Sequence, residues 1–453
     1  MKSDLDRLMS ERNLDGLWVT GPGMHNPAMS YFTGLAPLTR ADLVKARGQE
    51  PVLYYHPMER DNAIATGLRT KNINDYDPLR LLREARGNRA RAIAARLKLS
   101  FEELGLHGRV GVYGTVDASL PLAVAKEVHA HMPEVTLVGE GEDTLLIAAR
   151  ATKDEAEIER IRQVGRATTA VVARTAEYLI TRRVRGDTLL REDGQVLTVR
   201  DVKAHIAAWC MEQGLEDSEG VIFAIGRDGG VPHSTGKPND PIRLGQPIVF
   251  DFFPQEIGGG YFYDITRTWC LGHAPKEVEQ LHTQVQAAYN VAFDSFTPGM
   301  LCRYAQRRVC EYFEAQGHPT LLSNTTTEVG YVHTLGHGVG LNIHESPNFA
   351  DVEQNNERLE PGMVFTLEPG LYYPERGMGV RLEDTLLIGR DARIEVLAEY
   401  PMDLVLPMRK ASRASASRAK STPRRPAQPA ARTTKRAARK STRPTGRARP
   451  RHR

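Results

Sequence analysis

Along the chain, the spacing of apolar positions alternates between two periods. Over residues 1–150, short runs with strand character at 16–20, 51–55 and 109–113 alternate with helical stretches, among them an Ala- and Arg-rich segment that follows Asn88 and runs to Leu97. Near Arg150 the pattern changes. Thr152, Lys153, Asp154 and Glu155 have capping-box spacing and open a long helix with Ile158, Ile161, Val164, Val171 and Val172 on or near one face, so a domain boundary is expected at about residue 150. A helix over about 199–213, a strand at 221–225 and a loop carrying Pro232, His233 and Ser234 follow. Val278, Leu281, Val285, Ala288 and Ala292 keep an apolar stripe up to the break at Thr297, Pro298 and Gly299, and a further helix is expected to reach about Gln316. Helices beside acid-bearing hairpins thus occur twice, which predicts two related halves facing each other, although no residue-level repeat marks them.

The chain is organised around Asp251-Phe-Phe-Pro-Gln-Glu-Ile-Gly-Gly-Gly-Tyr-Phe-Tyr-Asp264. The apolar approach Ile248, Val249, Phe250 and the aromatic return Tyr261, Phe262, Tyr263 flank three glycines whose missing side chains permit positive φ. A hairpin centred between Ile257 and Gly258 would set Asp251 opposite Asp264, with Cβ atoms roughly 5 Å apart. Carboxylates that close repel unless they share a proton or a cation lies between them. The same geometry is predicted between Glu368 and Glu383, where Pro374, Glu375, Arg376 and Gly377 form a turn signal midway. Four carboxylates on two hairpins, with His337 in a glycine-rich stretch between them, point to a metal site. Singly, each acid has an ordinary explanation as a solvated or capping group. Together they sit beside Phe250, Ile265, Leu367 and Leu382, where uncompensated charge is costly. Strand alternation sends Val380 and Leu382 to one face and Arg381 and Glu383 to the other.

Size and charge narrow the picture. At 453 residues and 41% hydrophobic, the chain is long enough for two domains with their own cores. No run approaches the roughly 20 apolar residues of a membrane span, and residues 1–7 carry acids where a secretory signal would be basic and then apolar. A cytoplasmic location without membrane contact is expected. Cys210, Cys270, Cys302 and Cys310 show no Cys-x-x-Cys spacing and predict reduced, mostly buried thiols. His25 and His56 are isolated, and surface or packing roles are expected for both. The net charge of +4 hides an asymmetry: residues 409–453 hold 17 Lys and Arg and no acids, leaving 43 of the 60 basic groups against 56 acids in residues 1–408. The tail is expected to be disordered. It could neutralise nucleic-acid phosphates without sequence preference, since it has no aromatics to stack on bases, or remain a solvated appendage.

With these residues in view, the chain resembles the pita-bread metallopeptidases, and its two-part layout resembles the aminopeptidase P and prolidase branch rather than the single-domain methionine aminopeptidases. The matching pieces are Asp251, Asp264-Ile-Thr-Arg-Thr268, His333-Thr-Leu-Gly-His337-Gly-Val-Gly-Leu-Asn-Ile-His344-Glu345, Thr366-Leu-Glu368-Pro-Gly370 and Val380-Arg-Leu-Glu383-Asp384. Residues 1–150 resemble the family's creatinase-type domain more loosely, through Tyr31-Phe-Thr-Gly34. The resemblance implies an α/β fold class: a creatinase-type α/β domain at 1–150, then a pita-bread domain of duplicated helix plus antiparallel hairpin at 151–408.

It also implies two divalent ions. Asp251, Asp264 and Glu383 would hold one, and Asp264, His337, Glu368 and Glu383 the other, with Asp264 and Glu383 bridging. Ions roughly 3.5 to 4 Å apart need anionic bridges, and a water they share becomes a nucleophile near neutral pH. Four carboxylates and one imidazole favour manganese, with cobalt, iron or zinc also fitting. By the same resemblance, Glu368 would also take the proton from the attacking water, His344 would assist proton transfer, Arg381 would orient the acids, and His233 and His333 would contact the substrate. The plain alternative for each histidine is a structural role in tying down a loop, and for Arg381 an exposed strand charge. The implied reaction is peptide hydrolysis at Xaa-Pro, by an aminopeptidase on longer peptides or by an Xaa-Pro dipeptidase, in a homodimer. Creatinase is similar in fold but lacks the ligands present here, and non-catalytic histone chaperones of similar fold make a nucleic-acid-binding platform the contrasting expectation. The loop between the two aspartates, with Phe253, Pro254 and the triple glycine, is longer than in common members, so the pocket wall is expected to differ there.

Overall fold

In the computed structural model, strands β1 (Gly16–Gly21), β2 (Ala41–Ala46), β3 (Val52–Tyr55), β4 (Arg69–Asn72), β5 (Gly108–Tyr113) and β6 (Val135–Val138) form one mixed sheet in the order β4-β3-β2-β1-β5-β6. Strict alternation explains why it is buried on both faces. Trp18, Val44, Val52, Tyr54 and Val110 face one apolar cluster, which the helices Arg89–Leu104 and Ser119–His131 cover with Ala94, Leu97, Phe101, Val124 and Val128. Leu17, Val19, Leu43, Leu53 and Tyr55 face the opposite cluster, shared with Ile158, Ile161 and Val164. The first of these helices continues seven residues past the expected end at Leu97 because Phe101 and Leu104 extend its apolar stripe. The structure describes residues 4–141 and 143–409, which belong to one compact unit. The expected disorder of the basic tail concerns residues outside that range, apart from Arg409.

Asp154, not Thr152, caps the long helix Glu155–Ile180, with Glu157 completing the capping box. Thr152 is instead paired with Met363, and the Lys153 amide donates to Gly362 O at 2.8 Å, so these two residues are held extended and the helix begins two positions later. A small hairpin of β7 (Arg183–Arg185) and β8 (Thr188–Leu190) precedes the helix Val199–Glu212, which Thr198 and Asp201 cap reciprocally. Next come β9 (Leu215–Glu216), β10 (Ile222–Ile225), β11 (Pro247–Phe252), β12 (Gln255–Glu256) and β13 (Ile265–Leu271), and then the helices Lys276–Phe293 and Cys302–Ala315. The remaining strands are β14 (His337–Gly338), β15 (Glu345–Asn348), β16 (Val364–Leu367), β17 (Gly370–Tyr373), β18 (Met378–Arg381), β19 (Asp384–Ile388), β20 (Ile394–Val396) and β21 (Val405–Leu406).

Two acid-bearing sheets result, of order β10-β11-β13-β21 and β15-β14-β16-β19-β20, each accompanied by a helix pair. All four cysteines are buried free thiols. Among the described residues no helix is long and apolar enough to cross a membrane.

The second hairpin has the expected register. Gly370 faces Arg381 and Tyr373 faces Met378 in β17–β18, while Leu367 faces Asp384 in β16–β19, so Glu368 and Glu383 sit in matching gaps between the ladders. The first hairpin does not: Asp251 faces Thr266, not Asp264. Its turn is centred on Gly258 and Gly259, whose φ values of 96° and 80° suit them to the bend better than Ile257. Moving the centre by one residue moves the pairing by two, and a two-residue shift keeps every side chain on its original face. Asp264 therefore stays on the side of Asp251, one diagonal step away. The long loop is pinned from outside by the β9–β12 pairing and by the His25 amide, which donates to Gly258 O at 2.9 Å.

Candidate metal centre

All five expected ligands, Asp251, Asp264, His337, Glu368 and Glu383, line one cleft with a volume of about 830 Å³, together with Arg381, His233, His333 and His344. They arrive from different elements. Asp251 lies in β11 and Asp264 just before β13, where Thr385 Oγ1 ties its backbone on both sides, accepting from the Asp264 amide at 3.1 Å and donating to its carbonyl at 2.8 Å. His337 opens β14, and its amide donates to Thr366 Oγ1 at 3.1 Å. Glu383 is bound to the first hairpin, its amide donating to Thr266 O at 3.1 Å and its Oε2 accepting from Thr266 Oγ1 at 2.6 Å.

One oxygen of Asp264, one of Glu383 and one ring nitrogen of His337 lie within 4.8 Å of one another. His337 Nε2 is 3.7 Å from Asp264 Oδ2 and 3.5 Å from Glu368 Oε1. Its Nδ1 lies 3.1 Å from Gly338 O, a partner that holds the proton on Nδ1 and leaves Nε2 as a lone-pair donor aimed at the acids. Asp251 and Glu368 stand outside that tight triad: Asp251 Oδ2 accepts a short hydrogen bond from Arg381, and Glu368 Oε1 accepts from Thr366 Oγ1 at 3.3 Å.

The electrostatics of this arrangement are unbalanced. Burial, then the charges of Asp251 and Glu368, hold the Asp264 carboxyl well above the usual range. Burial and the neighbouring Asp264 do the same to Glu383, and Glu368 is pushed up to about 7 by burial and Asp251 against the pull of Arg381. Burial, with His344 next, depresses the His337 imidazolium to about 3, so the ring is neutral at pH 7. Four acids therefore face one guanidinium, and Asp251 Oδ1, Asp264 Oδ1 and Glu383 Oε1 are buried with no hydrogen-bond partner. Buried polar atoms are ordinarily paired, and orphaned carboxylate oxygens converging beside an unprotonated imidazole nitrogen are the donor set of a divalent cation. The residues present fit the metal site that the fold implies.

Arg381 is the internal counter-charge. It is buried, bonded to Asp251, and donates from Nε to Thr266 Oγ1 at 3.1 Å and from Nη1 to Tyr372 Oη at 2.9 Å. Burial opposes its charge, but Tyr372, Asp251 and Glu383 hold its pKa well above the ordinary value. His333 is locked between Thr334 O, 2.7 Å from Nδ1, and Tyr372 Oη, 2.8 Å from Nε2. His344 and His233 lie exposed at the cleft mouth, and the His344 ring packs edge-on against His337 with centroids 4.3 Å apart.

Sequence reasoning passed over Tyr372, Thr266 and the outer wall. Tyr372 stands four residues after Glu368 along an extended stretch, an even spacing that puts both on one face. Thr266 is on the face of Asp264 by the same rule. Asp143, Ile147 and Glu219, which also line the cleft, leave no signal of this kind, because no helix or strand period ties them to ligands that lie tens to hundreds of positions away.

Facing acid-bearing hairpins with a half-buried imidazole between them, backed by helix pairs, define the pita-bread class of metallohydrolase scaffold. Comparison with known proteins gives the family: residues 159–390 match the model of metallopeptidase family M24, and the chain belongs to that family. Its members bind divalent metal ions, in keeping with the donor set above. The "Probable dipeptidase PepE" of Mycobacterium tuberculosis is 33% identical over 247 residues, 54% of this chain and 58% of that protein, so the match spans little more than half the length of this curated relative. Among solved structures, a dipeptidase from Pyrococcus horikoshii superimposes with a TM-score of 0.68 at 22% identity, covering 89% of this chain and 98% of the other. An X-Pro aminopeptidase from Thermotoga maritima gives 0.65 at 21%, with coverage of 89% and 99%.

Proposed function

We propose that this protein is a dinuclear-metal peptidase that hydrolyses the bond before proline, acting as an Xaa-Pro aminopeptidase in preference to an Xaa-Pro dipeptidase. One observation carries the reading: orphaned oxygens of Asp251, Asp264 and Glu383 converge with His337 inside a cleft of an M24 scaffold. Asp251, Asp264, His337, Glu368 and Glu383 would hold the ions, manganese being favoured by so oxygen-rich a set. Bound there, the ions supply Lewis acidity and a water acidified towards neutral pH. The chain's own residues do the rest. Glu368 accepts the proton of the attacking water; Arg381, braced by Thr266 and Tyr372, fixes Asp251; His344, at the mouth, donates a hydrogen bond to the scissile region; His233 hydrogen-bonds the substrate, and His333, whose ring nitrogens are taken by Thr334 O and Tyr372 Oη, borders it through its ring edge.

The charges of the outer cleft favour the aminopeptidase. Glu219 lines it beyond the ligand set and suits a free amine, Asp143 and Glu357 there being engaged by Arg12 and by Ser346 and Asn348, whereas Arg381, the guanidinium among the described lining residues, is committed to Asp251 and Tyr372 and so not free to receive a dipeptide's carboxylate. The reading includes a division into an N-terminal domain of residues 1–150 and a catalytic domain of 151–408, a homodimer, and a cytoplasmic location. The test is cleavage of Xaa-Pro-Xaa against Xaa-Pro by the full chain with and without manganese. Faster cleavage of the tripeptide is expected; preference for the dipeptide would reverse the order of the two specificities, and no cleavage of either with metal restored would overturn the reading.

A further inference from the structure

Glu345 follows His344 in the chain, stands at the cleft wall outside the expected ligand set, and has its side chain 0% exposed. Three groups grip it. Oε1 accepts from the Asn342 amide at 3.0 Å and lies 3.2 Å from Arg150 Nε, while Oε2 accepts from Lys153 Nζ at 3.2 Å. Arg150 also donates from Nη2 to Asn342 Oδ1 at 2.7 Å, so it holds both ends of the 342–345 turn. The turn closes directly over the carboxylate: a Cβ at Gly340 would come within 2.2 Å of Glu345 Oε2. Lys153 is itself fixed by its backbone N–H, which donates to Gly362 O. Burial pushes its ammonium below the ordinary value while Glu345 and Glu157 pull the other way.

Burying an acid and two cations costs several kcal/mol per ion before their attraction is counted, and apolar side chains of the same volume would often stabilise as well. Stability alone gives little reason for the cluster. What it does supply is position. Arg150 ends the helix Leu145–Arg150 and Lys153 precedes the helix Glu155–Ile180, nearly two hundred residues from the turn they hold, and the residue they grip is bonded in sequence to the histidine packed on His337.

We infer that Arg150, Lys153 and Glu345 are positioning residues: their buried ion pairs set His344 against His337 and so fix where the cleft's proton donor stands. This deepens the proposed peptidase reaction and rests on it for its kinetic consequence, but the geometry is testable without turnover.

The experiment is a double-mutant cycle in the metal-loaded full chain, with Glu345→Gln and His344→Gln made singly and together, using an Xaa-Pro-Xaa peptide. Glu345→Gln is expected to lower kcat roughly 10- to 100-fold, the usual cost of losing a partner that orients an active-site group, with KM and metal content unchanged. In the His344→Gln background it should cost nothing further, because the residue acts only through that ring. Equal losses in both backgrounds would overturn the proposal. If Glu345→Gln does not fold, Lys153→Met, which keeps the Arg150 pair, runs in the same cycle with the same two outcomes. The second readout is the His344 ring resonance in the metal-free protein, assigned by its disappearance in His344→Gln. It should shift in Glu345→Gln or Lys153→Met, and an unmoved signal would overturn the clamp. Should the wild type cleave no Xaa-Pro peptide, the peptidase reading fails while this resonance still decides the clamp.

Discussion

Glu383 and Asp384 are consecutive, equally buried at 2% exposure, and both have carboxyls that burial pushes upward, yet they belong to opposite kinds of charge cluster. Asp384 is fully partnered: Oδ1 accepts from Arg267 at 2.7 Å and Oδ2 from Tyr289 Oη at 2.9 Å, and the same guanidinium caps the carbonyls of Thr266, Glu383, Tyr400 and Pro401. Glu383 faces the cleft with Thr266 on one oxygen and nothing on the other, beside Asp264 in the same condition. Strand alternation separates the two acids onto opposite faces. The difference separates a structural acid from a working one in this strand pair: Asp384, with both oxygens bonded, holds the fold, whereas Glu383 and Asp264, carboxylates left short of partners and converging on one point, are held by the fold for something that binds.

The comparison can be broken most sharply on the cleft side. Asp264→Ala should leave metal content per chain well below that of the wild type and lower hydrolysis by a factor on the order of 10³ or more, about 4 kcal/mol of barrier, measured by elemental analysis and peptide assay. Full metal occupancy in that variant would show that Asp264 is not a ligand. On the other side of the strand, Arg267→Met should destabilise the chain by about 3 to 5 kcal/mol in guanidinium titration, because it strands Asp384 as an unpaired buried charge, while leaving metal binding intact. Smaller again is removal of metal from the wild type. Since the ions bind only the folded chain, chelation from about 100 times the dissociation constant should cost about 2.7 kcal/mol, a loss that Asp264→Ala should not show. Arg381→Lys sharpens the line between ligand and support: kcat should fall roughly 10- to 100-fold with metal retained, since an ammonium cannot reach Asp251, Thr266 and Tyr372 together. The smallest effect belongs to charge outside either cluster, where breaking the exposed Arg390–Glu155 pair with Arg390→Ala should leave the unfolding midpoint unmoved.

Much of this was legible beforehand where a local rule applied. The second hairpin's register follows from a turn signal equidistant from two acids, and the division of Val380 and Leu382 from Arg381 and Glu383 follows from a period of two; Val380 and Leu382 lie in the core while the two charged residues line the cleft. At the first hairpin the expected turn centre lies one position before the observed one, because apolar flanks mark a hairpin but only backbone preference chooses among Ile257, Gly258 and Gly259 as its centre. The expected cap of the long helix lies two residues before the real one for a related reason: Thr152 satisfies the spacing rule, but its backbone is taken by Met363, more than two hundred residues on. Tyr372 could have been found from its even spacing to Glu368, whereas Asp143 and Glu219 could not.

By itself, then, the sequence determined the acids, the imidazole, the apolar faces that bury them and the parity of each strand, since each depends on neighbours a few residues away. Tertiary structure alone decided which oxygens of those acids stay unpaired, that Asp384 receives Arg267 while Glu383 does not, and that a guanidinium and an ammonium beside Ala151 close on the residue after His344. Such matters depend on which distant groups fill the last few ångströms around a buried charge, and no local pattern encodes that.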